Sequence, residues 1–323
     1  MIYDLRFTIY APMAAVIAGI VSVSLPAIAH DSPEHVVESL NVEMARTGTN
    51  ATLLWRRATE YRALGRLATA AADLQHALAL DPKLIPAWSD LARVQLSRNR
   101  AADASASINR ALALAESDAG RAPLRMVRAE VEAALGKPDA ALADCESALS
   151  VGAMLEADWF LARAQLQLRL GRFTDAATGL KTGFDQTGNA VLEAEWIDAL
   201  IDGGKCREAL ELIEPRLTEA RCQSSWLLRR GRARLASGDT VRARGDLNAA
   251  ITEINGRLHP TQPDAALLAE RGLASALLGD EAAARRDLAA ARRREADEAT
   301  LLRLERALHV AAGNEKSRAE ARP

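Results

Sequence analysis

Residues 51–84 read ATLLWRRATEYRALGRLATAAADLQHALALDPKL. Apolar residues recur every three or four positions in both halves, as they do on the buried stripe of an amphipathic helix. Gly65 separates the halves and adopts a turn conformation that residues with a side chain resist, and Pro82 closes the stretch because proline cannot continue a helix. Small side chains at Ala58 and Ala70 allow two helices to approach closely. The stretch therefore predicts a pair of packed helices joined by a tight turn.

The same marks return along the rest of the chain at intervals of 33 to 41 residues. Turn residues stand at Gly65, Asn99, Gly136, Gly171, Gly204, Gly238, Gly279 and Gly313. An alanine follows five positions after each of the first seven. The recurrence predicts seven helix pairs, at residues 51–84, 85–118, 122–155, 157–190, 191–223, 224–257 and 265–298. The extra residues around Ala119 to Arg121, and those from Leu258 to Asp264, are expected to be loops between pairs.

This repeat resembles the tetratricopeptide repeat, whose 34-residue unit carries small residues, a turn glycine, an aromatic and a closing proline at these spacings. The resemblance covers about residues 51–312. It implies an all-α fold, an α-solenoid in which about seven helix pairs form a right-handed superhelix. We expect capping helices at residues 30–50 and 299–312, with Arg303 on the polar outer surface of the second, and a disordered tail at 313–323.

The first 29 residues have the pattern of a signal peptide. An apolar run from Phe7 to Leu25 precedes Pro26-Ala27-Ile28-Ala29, which places small residues where a signal peptidase reads the chain. We expect cleavage after Ala29, which would leave a periplasmic or secreted protein without a membrane span. The alternative is an uncleaved N-terminal membrane anchor, because the run approaches the ~18–20 residues that cross a bilayer.

Composition and motifs argue against catalysis. A net charge of -2 over 323 residues gives no bulk attraction to nucleic acid. The sequence has no glycine-rich phosphate loop, no histidine pair at metal spacing and no glycine-flanked nucleophilic serine. We therefore expect no catalytic residue, no cofactor and no metal. His30 and His35 could bind a metal at a cleaved N-terminus, but a metal cage normally needs more ligands, and a helix start capped by Ser32 explains the segment.

The three cysteines are expected to be free thiols. Cys145 occupies a packing position in the repeat, where a small apolar side chain fits. Cys206 and Cys222 lie at the two ends of one predicted helix, about 24 Å apart, against the ~7 Å that a disulfide allows between Cα atoms.

A charged pattern recurs within the helix pairs. Four pairs carry an arginine just before the small residue of the first helix and an aspartate sixteen positions later: Arg57 and Asp73, Arg128 and Asp144, Arg230 and Asp246, Arg271 and Asp287. A fifth arginine, Arg163, has no such aspartate. We expect the four to form bidentate ion pairs that fix helix register, which makes these residues structural.

The resemblance implies a groove lined by the first helix of each pair. Its positions carry over to a candidate partner-binding set: Trp55, Thr59, Arg62, Ser89, Arg93, Ser97, Arg169 and Arg232. Further positions are Asp158, Gln165, Asp198, Asp202, Leu228, Leu235, Leu273 and Leu277. The N-terminal part would be a cationic, aromatic pocket suited to an acidic or extended peptide, and the C-terminal part an apolar strip suited to a helix. The alternative is that Trp55 packs under the N-terminal helix and the leucines pack between first helices.

The resemblance implies a non-catalytic scaffold that binds a protein or peptide partner in the cell envelope or outside the cell. The alternative is a factor for envelope assembly or polysaccharide export. Trp55 and Thr59 stand where chaperone-binding members begin their lysine-asparagine clamp for a terminal carboxylate. A receptor for chaperone tails is therefore not expected.

Overall fold

A computed structural model describes residues 32–152, 156–296 and 299–309. Every regular element among them is helical, so the predicted all-α fold is confirmed. The predicted signal peptide at 1–29 and the tail at 313–323 lie outside the described residues. Within the described ranges, none of the helices combines the length and the apolar character needed to cross a membrane.

The described residues form an initial helix, a series of helix pairs and a final single helix. The elements are α1 (Pro33–Thr47), α2 (Ala51–Ala63), α3 (Leu67–Leu80), α4 (Ile85–Ser97), α5 (Ala101–Leu114), α6 (Asp118–Ala134), α7 (Pro138–Ser150), α8 (Ala157–Arg169), α9 (Phe173–Thr187), α10 (Ala190–Asp202), α11 (Cys206–Glu219), α12 (Ser224–Ala236), α13 (Thr240–Arg257), α14 (Ala265–Leu278) and α15 (Glu281–Arg293). The final helix, α16, spans residues 299–309.

The fold divides into two compact units, which meet in sequence between Leu166 and Gln167. In unit 1 the helices of a pair pack together, as α2 does with α3, and each second helix packs on the next first helix, as α3 does with α4. First helices also touch their neighbours, α2 with α4 and α4 with α6. Unit 2 repeats this arrangement, with α10 against α12 and α12 against α14. The first helices of each unit therefore form a continuous face.

Small and branched aliphatic side chains fill the space between helices. In unit 1, Ala58, Ala70 and Leu74 are fully buried in one cluster. Each leucine buried in this way contributes about 1.5–3 kcal/mol relative to an exposed one. Few aromatic side chains are needed, because each pair buries its apolar stripe against its neighbours rather than around one centre.

One predicted loop is helical. Residues Ala119 to Arg121 lie in the first turn of α6, which begins at Asp118. The hydroxyl of Ser117 accepts a hydrogen bond from the Gly120 amide at 3.1 Å, so a local helix cap replaces the expected break. The second expected loop, Leu258 to Asp264, does lie between α13 and α14.

The repeated arginines form bidentate ion pairs with the aspartates sixteen positions later. Arg57 Nε donates to Asp73 Oδ2 at 2.7 Å and Nη2 donates to Oδ1 at 2.8 Å. The same two-bond geometry joins Arg128 to Asp144, Arg230 to Asp246 and Arg271 to Asp287. Each pair holds the first helix against the second helix of its own pair.

Each of these arginines also reaches back to the preceding helix. Its remaining nitrogen donates to a side chain there: Asn41 for Arg57, Asn109 for Arg128, Glu214 for Arg230 and Asn255 for Arg271. One guanidinium thus connects three consecutive helices. Arg163, which has no aspartate at this spacing, leaves its buried Nε without a hydrogen-bond partner.

Candidate functional site

The first helices of unit 1 bring polar and aromatic side chains together around Asp90 of α4. The Trp55 indole N–H donates to Asp90 Oδ2 at 2.8 Å, and the Thr59 hydroxyl lies 3.4 Å from the same oxygen. Arg93 Nη1 lies 3.5 Å from Asp90 Oδ1. Asp90 therefore links α2 to α4 and ties three of the predicted groove residues into one cluster.

A second acid, Glu130 of α6, lies close to two of the predicted arginines. Burial raises the pKa of Glu130 to about 7, and the charges of Arg93 and Arg62 oppose that rise. Arg62 Nε is buried and makes no hydrogen bond. A buried donor without a partner costs free energy. Because this nitrogen is buried, a partner could reach Arg62 only through the accessible part of its half-buried side chain.

The other predicted residues of unit 1 differ in accessibility. The Trp55 ring is half-buried and packs against a cluster that includes Leu40 and Met44 of α1, so the N-terminal helix covers part of it. Ser97 is half-buried. Ser89 is buried, and a partner on this face does not reach its side chain.

In unit 2, Arg232 is not an open groove residue. It is buried in an ion-pair cluster with two acids of α10, bonding Asp198 through Nη1 and Asp202 Oδ1 through Nη2 at 2.5 Å. Arg229 donates to Asp198 Oδ2 at 2.9 Å. Although burial opposes ionisation, the charges of Arg229, Arg303 and Arg232 hold the pKa of Asp198 well below its usual range.

The third arginine of this cluster comes from α16. Arg303 Nη2 bonds Glu195 Oε2 at 2.7 Å, and its other nitrogens lie 3.4 Å from Asp198 and 3.6 Å from Asp202. The expected place of Arg303 on a polar outer surface is wrong, because its side chain is only 7% exposed. A buried guanidinium is stable only when it is paired, and α10 provides the carboxylates.

The rest of α16 covers the leucines that were predicted to form an apolar strip. Leu304 and Leu308 are buried in one cluster with Leu228 and Leu273. Arg306 lies at the other edge, where Nη2 donates to the Leu168 carbonyl at 3.1 Å and the guanidinium sits 5.9 Å from the centre of the Phe173 ring. In unit 2 the last described helix of the same chain thus occupies the predicted groove.

The remaining predicted residues lie on α8, where Arg169 in the last turn and Asp158 in the first are exposed and Gln165 is half-buried. Sequence reasoning missed Asp90, Glu130 and Glu195. Glu130 could have been found, because it stands in the third pair where Thr59 and Arg93 stand in the first two. Asp90 and Glu195 had no comparable signal, since each is significant only through a partner on another helix.

The described residues contain no group of three or more His, Cys, Asp or Glu side chains placed to hold a metal ion. The first-helix faces of units 1 and 2 instead carry guanidinium groups, carboxylates and one indole. Such groups bind by charge-assisted hydrogen bonds and by stacking.

Comparisons with known proteins agree with this architecture. Residues 61–128 match the sequence model of the tetratricopeptide repeat. A crystal structure of a tetratricopeptide repeat protein from Parabacteroides merdae aligns with a TM-score of 0.56 at 17% identity, covering 80% of this chain and 98% of that one. Yeast Tom70 aligns with a TM-score of 0.51 at 14% identity, covering 88% of this chain and 60% of that one. No curated protein sequence matches the chain.

The identities are low, so the structural matches carry the fold and not a shared partner. Residues 61–128 thus match the tetratricopeptide repeat in sequence, and the described helix pairs share the fold of tetratricopeptide repeat proteins.

Proposed function

We propose that the protein is a non-catalytic scaffold that binds an acidic or extended peptide of a partner protein on the first-helix face of unit 1. This face is formed by α2, α4 and α6. The observation that carries the proposal is the convergence of Arg62 and Arg93 with Glu130, next to Asp90 and the half-exposed Trp55.

The chemistry of the face fits such a peptide. Arg62 is half-buried, so part of its side chain is accessible on this face, and Arg93 makes only a long contact, 3.5 Å, with Asp90. A carboxylate or a backbone carbonyl of a bound peptide would pair with both guanidinium groups more closely than the resident acids do. The half-buried indole ring of Trp55 adds a surface on which the peptide can stack.

We further propose that the protein acts in the cell envelope or outside the cell. The support is the sequence of residues 1–29, with its apolar run and small residues before Ala29. N-terminal sequencing of the tagged protein from its native host should begin at His30. A chain that retains residues 1–29 in the membrane fraction would favour the anchored alternative.

A capture experiment tests the binding face. We expect wild-type protein, used as bait in extracts of its host, to retain a partner that the double variant Arg62→Ala/Arg93→Ala loses. Because both arginines are half-buried and lack strong partners, helicity and melting temperature should change little. Unchanged capture by the double variant would contradict the proposal.

The chain offers a matched control on the same two repeats. Arg56 and Arg98 are exposed arginines at α2 and at the end of α4. The variant Arg56→Ala/Arg98→Ala removes the same charge and should retain the partner. Loss of the partner in both double variants would indicate attraction to overall charge rather than a site.

A further inference from the structure

The first-helix face of unit 2, formed by α10, α12 and α14, is filled by a helix from its own chain. α16 places Arg303 among three acids of α10 and places Leu304 and Leu308 between the leucines of α12 and α14. Its contacts run from Leu168 at the end of α8 to Arg292 of α15, whose Nη2 bonds Glu305 at 2.5 Å. α16 therefore lies across several repeats, as a bound helical peptide would.

The charges of this face are incomplete without α16. Three carboxylates of α10, those of Glu195, Asp198 and Asp202, face two guanidinium groups of α12, those of Arg229 and Arg232. Arg303 supplies the third positive charge. If α16 left, Glu195 would lose its bidentate partner, because Nη1 and Nη2 of Arg303 lie 3.3 and 2.7 Å from its two oxygens.

The apolar half of the face is equally incomplete. Leu304 is fully buried and Leu308 is 4% exposed, so their removal would expose Leu228 and Leu273 to water. An exposed apolar patch beside uncompensated carboxylates is the complement of an amphipathic helix with arginine next to leucine. On α16 this pattern consists of Arg303 followed directly by Leu304, with Leu308 four residues further along.

We propose that the first-helix face of unit 2 is a second binding site, specific for a basic amphipathic helix of a partner protein, and that α16 is its competitor within the chain. The partner helix presents an arginine to Glu195, Asp198 and Asp202 and two leucines to the apolar strip. It binds only when α16 is displaced. This site is separate from the face of unit 1 and does not depend on the function proposed for that face.

Because α16 competes for the site within the same chain, it lowers the observed affinity of the site for an added helix. Binding in trans is reduced by the fraction of molecules in which the site is open. A tethered helix also has a high effective concentration, in the millimolar range for short linkers, so a partner must bind tightly or α16 must be weakened. Weakening α16 should therefore raise the affinity for an added helix.

The test uses the full-length chain and a fluorescent peptide with the sequence of residues 299–309, ATLLRLERALH. We expect the variant Arg303→Ala/Arg306→Ala to bind this peptide at least tenfold more tightly than wild type does. A peptide with alanine in place of both arginines should bind the variant at least tenfold more weakly. The matched control, Arg285→Ala, removes an exposed arginine paired with Glu281 and should bind the peptide as wild type does.

Three results would overturn the proposal. The first is equal peptide affinity for wild type and the double variant. The second is undiminished binding of the peptide that lacks arginines. The third is a dimer of the double variant that the peptide dissociates, because a second copy of the chain would then be the occupant.

A measurement on the wild-type protein tests the proposal even if the double variant does not fold. Saturating peptide should accelerate hydrogen exchange of the amides of residues 299–309, since the displaced helix loses its protection. Unchanged exchange in the presence of saturating peptide would also overturn the proposal. Variants at Arg62 and Arg93 should leave the result unaffected, which distinguishes failure of this site from failure of the face of unit 1.

Discussion

Arg303 Nη2 lies 2.7 Å from Glu195 Oε2, although 108 residues separate the two in sequence. The bond joins the last described helix to a first helix three pairs earlier. In a repeat protein most contacts join neighbouring repeats, so a contact between helices that lie three pairs apart in sequence is unusual. Here the last helix lies along the face of several repeats instead of only covering the final one.

Asp246 should be the most sensitive acid of the repeated ion pairs. It is nearly buried and accepts bonds from two arginines, from Arg230 Nη2 at 2.8 Å and from Arg234 Nη1 at 2.7 Å. We expect Asp246→Ala to lower the free energy of unfolding by about 3 kcal/mol, because it leaves two poorly solvated arginines with Glu214 as their remaining acidic partner. Urea titration measures the loss. In the control Glu211→Ala, the exposed pair with Arg207 should cost ~0–1 kcal/mol, and equal losses would contradict this account.

Gly272 should not tolerate a side chain. A Cβ atom there would lie 2.9 Å from Leu304 Cδ2 and 3.0 Å from Asp287 Cβ, in a region where Leu304 is fully buried. We expect Gly272→Ala to cost about 1–3 kcal/mol by overpacking and to loosen α16. Limited proteolysis should then cleave the C-terminal segment faster.

Gly245 provides the opposite case within the same unit. It lies inside α13, and a Cβ atom there would meet no atom within 4 Å. We expect Gly245→Ala to stabilise the protein by about 0.5–1 kcal/mol, because alanine has less freedom to lose on folding. If Gly272→Ala had a higher melting temperature than Gly245→Ala, the packing described for α16 would be contradicted.

Glu130 should make stability depend on pH. Its pKa rises from 4.5 to about 7 on folding, so the folded chain binds more protons than the unfolded chain between these values. Stability from this group therefore falls as pH rises through that window. Glu130→Gln removes the titration, and its melting temperature relative to wild type should be higher at pH 8 than at pH 5. A constant difference would contradict the assignment.

The thiols should differ strongly in reactivity. Cys222 is exposed, whereas Cys145 and Cys206 are buried, and burial raises the pKa of the Cys145 thiol to about 12. The thiolate is the reactive form of cysteine. We therefore expect one thiol of the folded protein to react quickly with a thiol reagent, and all three to react after unfolding without reductant. Cys222→Ser should remove the fast phase. Fewer than three thiols after unfolding would contradict the absence of a disulfide among the three cysteines.

The periodic features of the fold could be predicted from the sequence. Turn residues near every 34th position determine the helix pairs, and an arginine followed after sixteen residues by an aspartate predicts contacts such as Arg57 with Asp73. Both signals repeat, so each copy supports the others. The helical first turn at Ala119 was missed, because a glycine there suggests a loop until the Ser117 cap is recognised.

The occupied face of unit 2 could not be predicted in this way. The contact between Arg303 and Glu195 occurs once, and no spacing within a repeat encodes it. A charged residue on a terminal helix is usually solvated, and only the three acids of α10 make its burial favourable. Sequence periodicity thus identified the surface but not the helix that covers it.

Photocrosslinking in the native host tests most directly whether the first-helix face of unit 1 contacts a protein partner. A photoreactive amino acid replaces Ser97, a half-buried groove residue of α4 that leaves Arg62 and Arg93 in place, or Arg98, an exposed residue just beyond the end of α4, as the control. We expect irradiation to give a discrete adduct with another polypeptide from position 97 and none from position 98. The absence of an adduct at position 97, or equal adducts at both positions, would contradict the central claim.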